Sequence, residues 1–166
     1  MKNLLQTLCG LFLVVFYSSC MNSGDNRVDV LIVGGGASGV TSGIQAARMG
    51  ANTLILEETT WLGGMLTSAG VSAVDGNYRL PAGLWGEFKN RLSDYYGGLD
   101  SLKTGWVSNV LFEPSVGNKI FHEMVSAEKN LKVWKQTRLE EVKRVGDEWI
   151  AKVNVEGQGM KSVRSK

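Results

Sequence analysis

Two rhythms of apolar residues divide the chain after its first twenty-odd positions. Val28, Val30, Leu31, Ile32 and Val33 form a short, β-branched-rich run, the pattern of a strand buried in a parallel sheet. From Ala37 the spacing turns helical: Ala37, Val40, Ile44 and Ala47 recur on one face, Ala46 is small as well, and Gly50 stands where a helix-ending glycine is expected. Ala51 to Leu56 supply a second strand, closed by Glu57. Leu66 to Tyr78 are Gly/Ser-rich and predict a loop. Pro81 then opens a helix carrying Leu84, Trp85, Phe88, Leu92 and Tyr95 at a period of about 3.6, ended by Gly97-Gly98. These aromatics read as core or interface rather than as a substrate-stacking surface. Pro114 starts another helix, with Val116, Ile120, Phe121, Met124 and Val125 on one face. Leu131 to Trp134 read as a strand. Arg138 to Val145, Glu148 to Val155 and Met160 to Val163 read as an antiparallel meander turning at Gly146-Asp147 and Gly157–Gly159.

The order strand, glycine turn, helix, strand, acid predicts a βαβ unit with a dinucleotide at its first turn. Glycine makes up 21 of 166 residues, so the spacing Gly34-x-Gly36-x-x-Gly39 gains its weight from these flanks. Gly34 permits the tight exit from the strand. Gly36, without a side chain, lets a diphosphate approach the backbone, and Gly39 lets the helix pack closely on the strand. The first-turn amides and the helix dipole favour an anion there. Glu57 stands 23 positions after Gly34, the distance at which an acid accepts hydrogen bonds from ribose hydroxyls and repels a 2′-phosphate. The competing reading is a turn-glycine cluster with a solvated glutamate in an ordinary α/β protein.

Gly34-Gly35-Gly36-Ala37-Ser38-Gly39, Glu57, and Trp61-Leu62-Gly63-Gly64-Met65-Leu66-Thr67-Ser68 together resemble the N-terminus of FAD-dependent oxidoreductases with the glutathione-reductase-like fold. In that family an acid followed six or seven residues later by a Gly-Gly pair is typical of FAD rather than NAD sites. The resemblance implies FAD as cofactor. It implies Gly34, Gly35, Gly36, Ala37, Ser38 and Gly39 around the pyrophosphate, Glu57 on the adenosine ribose, and Gly63, Gly64 and Met65 close to the cofactor. A weaker similarity runs through Val71-Ser72-Ala73-Val74-Asp75-Gly76 to Leu139. The expected fold class is thus α/β: a Rossmann-like FAD-binding unit with a parallel sheet, plus a C-terminal antiparallel meander. The family also implies a further strand after the meander, ending in an Ala-Thr-Gly-like turn and an acid. Lys166 precedes that point, so an incomplete domain without the flavin-ring pocket is expected, with weak or absent flavin binding, and no catalytic residue is assigned.

The first twenty residues have a different character. Lys2, an apolar stretch from Leu4 to Tyr17, and Ser18-Ser19-Cys20 describe a secretory signal; Gln6, Thr7 and Gly10 make the stretch a poor membrane span. Small residues directly before a cysteine resemble the bacterial lipoprotein signal, with Cys20 lipidated as the new N-terminus; Tyr17 departs from the aliphatic residue usual there. Simple cleavage near Ser19, leaving a secreted protein, is the alternative. The expected organisation is signal 1–20, polar tether 21–27 and FAD-binding portion 28–166, exported and held at a membrane by its lipid. Flavoproteins exported already folded usually carry twin arginines, and only Lys2 is present, so FAD would be acquired outside the cytoplasm.

Composition then narrows the chemistry. A formal net charge of +2 with scattered Lys and Arg gives no case for nucleic acid. Cys9 and Cys20 both fall within the signal, leaving no cysteine for a disulfide, a thiol redox pair or the iron–sulfur clusters of some relatives. His122, the single histidine, reads as a surface residue and excludes a histidine-based metal cluster. No G-x-S-x-G elbow supports a hydrolase. Three other readings remain: a small non-catalytic nucleotide-binding lipoprotein or partner module, an NAD-dependent enzyme, disfavoured by Gly63-Gly64, and a polysaccharide-active lipoprotein, for which no carboxylate pair is evident.

Overall fold

The computed structural model describes residues 26–106 and 108–166; the expected signal, Cys20 and most of the tether lie outside them. Among the described residues, seven strands and three α-helices follow in the order β1 (Asn26–Val28), β2 (Val30–Val33), α1 (Ala37–Arg48), β3 (Thr53–Leu56), α2 (Gly83–Tyr96), α3 (Pro114–Ser126), β4 (Leu131–Trp134), β5 (Thr137–Val145), β6 (Glu148–Val155) and β7 (Gly159–Ser165). β2, β3 and β4 form a parallel sheet in that order, with Ile32 opposite Ile55 and Ile55 opposite Val133. The second sheet runs β1-β7-β6-β5; the meander is antiparallel and β1 joins β7 in parallel.

β3 explains how the layers stack. All four of its residues are buried, and successive side chains leave a strand on opposite faces. Ile55 packs with Val40, Ile44, Phe88, Ile120 and Leu131 under the three helices. Leu54 and Leu56 pack instead with Val28, Ala151, Val153 and Val163 of the second sheet. A parallel sheet covered on both faces is the arrangement that requires continuous apolar strands. Arg48 ties the end of α1 to Glu128, just beyond α3, at 2.7 Å and to Glu87 of α2 at 3.0 Å. Its cation also complements the carbonyl end of that helix.

The predicted elements correspond closely to these, with three differences. The run from Val28 to Val33 is two strands, not one. Asp29 turns the chain between sheets, its amide donating to the Asn52 carbonyl at 2.8 Å while its carboxylate accepts from the Asn52 amide at 2.9 Å. Asn26 and Arg27, read as the end of a tether, pair with Val163 and Arg164 in β1. Tyr95, expected on the buried face of its helix, is 52% exposed, because α2 buries Gly86, Phe88, Lys89 and Leu92 instead.

Candidate functional site

The site grows from the C-terminal ends of β2 and β3, where parallel strands leave a crevice. β2 delivers the chain to Gly34, whose amide donates to the Leu56 carbonyl at 2.8 Å and whose φ of +97° few L-residues adopt. Gly36 then sits at the N-cap of α1 without a side-chain cap, and no acidic residue occupies the first turn. The opening amides of α1 are therefore left for an external acceptor. A side chain at Gly36 would meet nothing within 4 Å, so the space over the turn is open. Gly39 shows the opposite: a Cβ there would lie 1.9 Å from the Gly34 carbonyl oxygen and 3.4 Å from Ile32 Cγ2. Only glycine allows the helix to start against the strand it has just left.

Glu57 faces this turn from the end of β3. Its Oε2 accepts the Gly35 amide at 2.7 Å, and its Oε1 accepts the Thr59 amide at 2.8 Å and the Thr59 hydroxyl at 2.7 Å. Two carboxylate oxygens offer about four lone-pair sites, so three donors leave roughly one acceptor position, on Oε2. The carboxylate is fixed and retains capacity for one hydroxyl donor.

The Gly63-Gly64 pair reaches the same turn through the short segment that follows Glu57. Gly63 donates its amide to the Gly35 carbonyl at 2.8 Å and forms a parallel bridge with Gly36. A Cβ on Gly64 would come within 3.0 Å of Gly36 Cα, so the two glycine segments touch backbone to backbone. Met65 follows in a 3₁₀ turn, Gly64–Leu66, and is 69% exposed. The structure thus draws Gly34, Gly35, Gly36, Ala37, Ser38, Gly39, Glu57, Gly63 and Gly64 into one patch, with Met65 standing out at its rim.

Sequence reasoning missed what holds that loop. Asn118 of α3 accepts the Leu62 amide on its Oδ1 at 2.9 Å, and the buried Thr67 hydroxyl donates to the Leu62 carbonyl at 2.6 Å. Asn118 carried no sequence signal, since it lies among the polar positions of a helix read for its apolar face. His122, one turn further on, is half-buried rather than at the surface. Burial lowers its pKa below the ordinary histidine value, and the nearby Lys135 charge lowers it further, so it is neutral at pH 7. Among the described residues no group of three or more His, Cys, Asp or Glu could hold a metal ion.

These features fit FAD at its adenosine diphosphate end: an uncapped helix start for the pyrophosphate, an open surface over Gly36, and a braced carboxylate with an acceptor to spare for ribose. The comparisons with known proteins bear on the family and the fold. The sequence matches the family described as FAD dependent oxidoreductase over residues 29–166. Among curated proteins none matches it. Solved structures of similar fold include a flavoprotein/dehydrogenase from Cytophaga hutchinsonii, 12% identical with a TM-score of 0.60, covering 84% of this chain and 38% of that one. The anhydrotetracycline hydroxylase OxyS from Streptomyces rimosus is 14% identical with a TM-score of 0.57, over 84% of this chain and 30% of its own. The flavin-dependent monooxygenase PieE, solved in complex with FAD and substrate, is 14% identical with a TM-score of 0.53, over 85% of this chain and 29% of its own. The chain therefore spans well under half the length of each.

Proposed function

Since the chain belongs to the FAD dependent oxidoreductase family, with FAD as its cofactor, we propose that residues 28–166 grip the adenosine diphosphate half of that cofactor within an oxidoreductase. The observation that carries the reading is the convergence of Glu57 and Gly63 on a turn more than twenty residues earlier in the chain: Gly35 donates to Glu57, and Gly63 donates to Gly35. In this reading the free amides at the start of α1 hold the pyrophosphate, with the helix dipole adding to the attraction. Glu57 accepts a ribose hydroxyl and repels any phosphate at the ribose 2′ position. Gly63 and Gly64 close over the turn without side chains that would exclude the cofactor. When bound, FAD supplies electron-pair transfer at its ring, and the protein supplies binding and orientation.

Titration of the purified protein with ADP, FAD and NADP tests this. ADP and FAD are expected to bind and to compete, because both carry the half that this site holds. NADP is expected to bind at least about ten-fold more weakly, the cost of one misplaced phosphate beside a carboxylate. Failure of both ADP and FAD to bind, or NADP binding as well as ADP, overturns the reading.

We also propose that the protein is exported and anchored by lipid on Cys20. The support is the basic start, short apolar core and small residues before that cysteine. Labelled palmitate is expected to enter the wild type and not Cys20→Ser. A wild type that stays unlabelled would indicate a simply secreted form.

A further inference from the structure

Leu62 is the point where the loop is locked, and both locks are side chains. Its side chain is fully buried and stands so close to Gly35 that a Cβ there would lie 2.8 Å from Leu62 Cδ2. Its amide is taken by Asn118 and its carbonyl by Thr67, at 2.9 and 2.6 Å. Neither backbone group is satisfied by a strand or helix, so the segment has no regular structure to hold it in place. The surface that receives it is one face of α3. A Cβ on Gly117 would meet Phe112 and Thr67, and one on Gly63 would meet Phe121 at 2.7 Å. Phe121 is itself stacked on Phe88 of α2 with ring centroids 4.4 Å apart, so α3 is a fixed platform.

We propose that Asn118 and Thr67 are positioning residues for the cofactor: they clamp Leu62 so that Gly63 and Gly64 brace the Gly35–Gly36 turn in its binding geometry. The inference rests on the adenosine-diphosphate reading above. Its physical content is preorganisation. Without the clamp the 62–64 segment samples other positions, Gly63 leaves the Gly35 carbonyl, and the turn spends less time in the competent form. Ligand affinity falls by the fraction of competent protein lost. A helix more than fifty residues away in sequence thereby sets the affinity of the first turn.

The test pairs two variants that cut the clamp from opposite sides with one that restores it. Asn118→Leu removes the acceptor for the Leu62 amide. Thr67→Val keeps the buried shape and removes only the hydroxyl. Asn118→Asp keeps an acceptor oxygen at the same reach. Amide hydrogen exchange over residues 62–67 is measured on each protein, together with ADP affinity. Asn118→Leu and Thr67→Val are expected to accelerate exchange in that segment and to weaken ADP binding about ten-fold, the result of leaving roughly a tenth of the molecules competent. Asn118→Asp should restore both. Val125→Ala, in the same helix away from the turn, should lower stability without changing ADP affinity.

Unchanged exchange in both cutting variants overturns the clamp. So does faster exchange with unchanged ADP affinity, failure of Asn118→Asp to restore it, or an equal loss of affinity in Val125→Ala. If the wild type itself fails to bind ADP, the nucleotide reading falls, while the exchange data still decide whether Asn118 and Thr67 hold the segment.

Discussion

Gly39→Ala is expected to destabilise the protein by about 3 kcal/mol, near the top of the range for overpacking, and to abolish measurable ADP binding. The substitution adds a single methyl group, and in an ordinary helix it would stabilise by about 1 kcal/mol relative to glycine. Here the new Cβ would sit 1.9 Å from the Gly34 carbonyl oxygen, an atom of the backbone that cannot rotate aside. The turn and the helix must separate, which displaces the amides that face the pyrophosphate. A loss of this size lowers the melting temperature by about 10 °C for a domain of this length. Gly43→Ala is the informative partner. Its Cβ would meet Ile55 Cδ1 at 2.7 Å, the far end of a flexible side chain, so the core can adjust and the phosphate turn stays in place. Thermal melts and calorimetric ADP titration on both variants make the comparison. Gly39→Ala melting at or above the wild type, with unchanged ADP affinity, would remove the close approach from the account.

Glu57→Ala is expected to weaken ADP binding by about 10- to 100-fold, corresponding to about 1.4–2.8 kcal/mol. Two losses combine. The ribose loses a charged acceptor, and the buried Gly35 amide loses its 2.7 Å partner, so the turn itself loosens. Glu57→Gln tests whether charge alone matters. The glutamate receives donors on both oxygens, from Gly35 on one side and Thr59 on the other. An amide has only one acceptor oxygen, so either Gly35 or Thr59 would face an NH₂ group. Glu57→Gln should therefore fall near Glu57→Ala in affinity for ADP, while its discrimination against NADP shrinks because the negative charge is gone. ADP affinity equal to wild type in Glu57→Ala would exclude the residue from the site.

Much of the geometry of the candidate site was legible in the sequence because its determinants are local. Gly34, Gly36 and Gly39 lie within six residues, and each meets a steric need that spacing exposes: a positive φ, an open surface and a close approach. Glu57 ends a strand whose neighbour in the sheet is fixed by the βαβ connection, so its distance along the chain converts into a position. What remained hidden depends on partners that no short pattern names. The break at Asp29 exists because Val28 pairs with Ser165, at the far end of the chain, while Val30 pairs with Thr53. Both residues are valines in one apolar run, and nothing in that run says that two sheets share it. Asn118 was invisible for the same reason: its partner is a backbone amide that becomes available only when the loop of Leu62 folds onto α3. Tyr95 continued a helical spacing whose buried face proved to be set by Gly86 and Leu92.

The Leu62 clamp also has a consequence in time. A ribosome completes the Gly34–Gly39 turn early, yet the residue that secures the bracing loop is Asn118, and the third strand of the sheet, Leu131–Trp134, comes later still. At about 5–20 residues per second, the 79 positions from Gly39 to Asn118 take roughly 4–16 s to appear. Through that interval the nascent chain carries the glycine turn without its support, and β1 waits longer again for β7. Affinity for the nucleotide is thus acquired only once α3 has been made, by a turn completed 79 residues earlier.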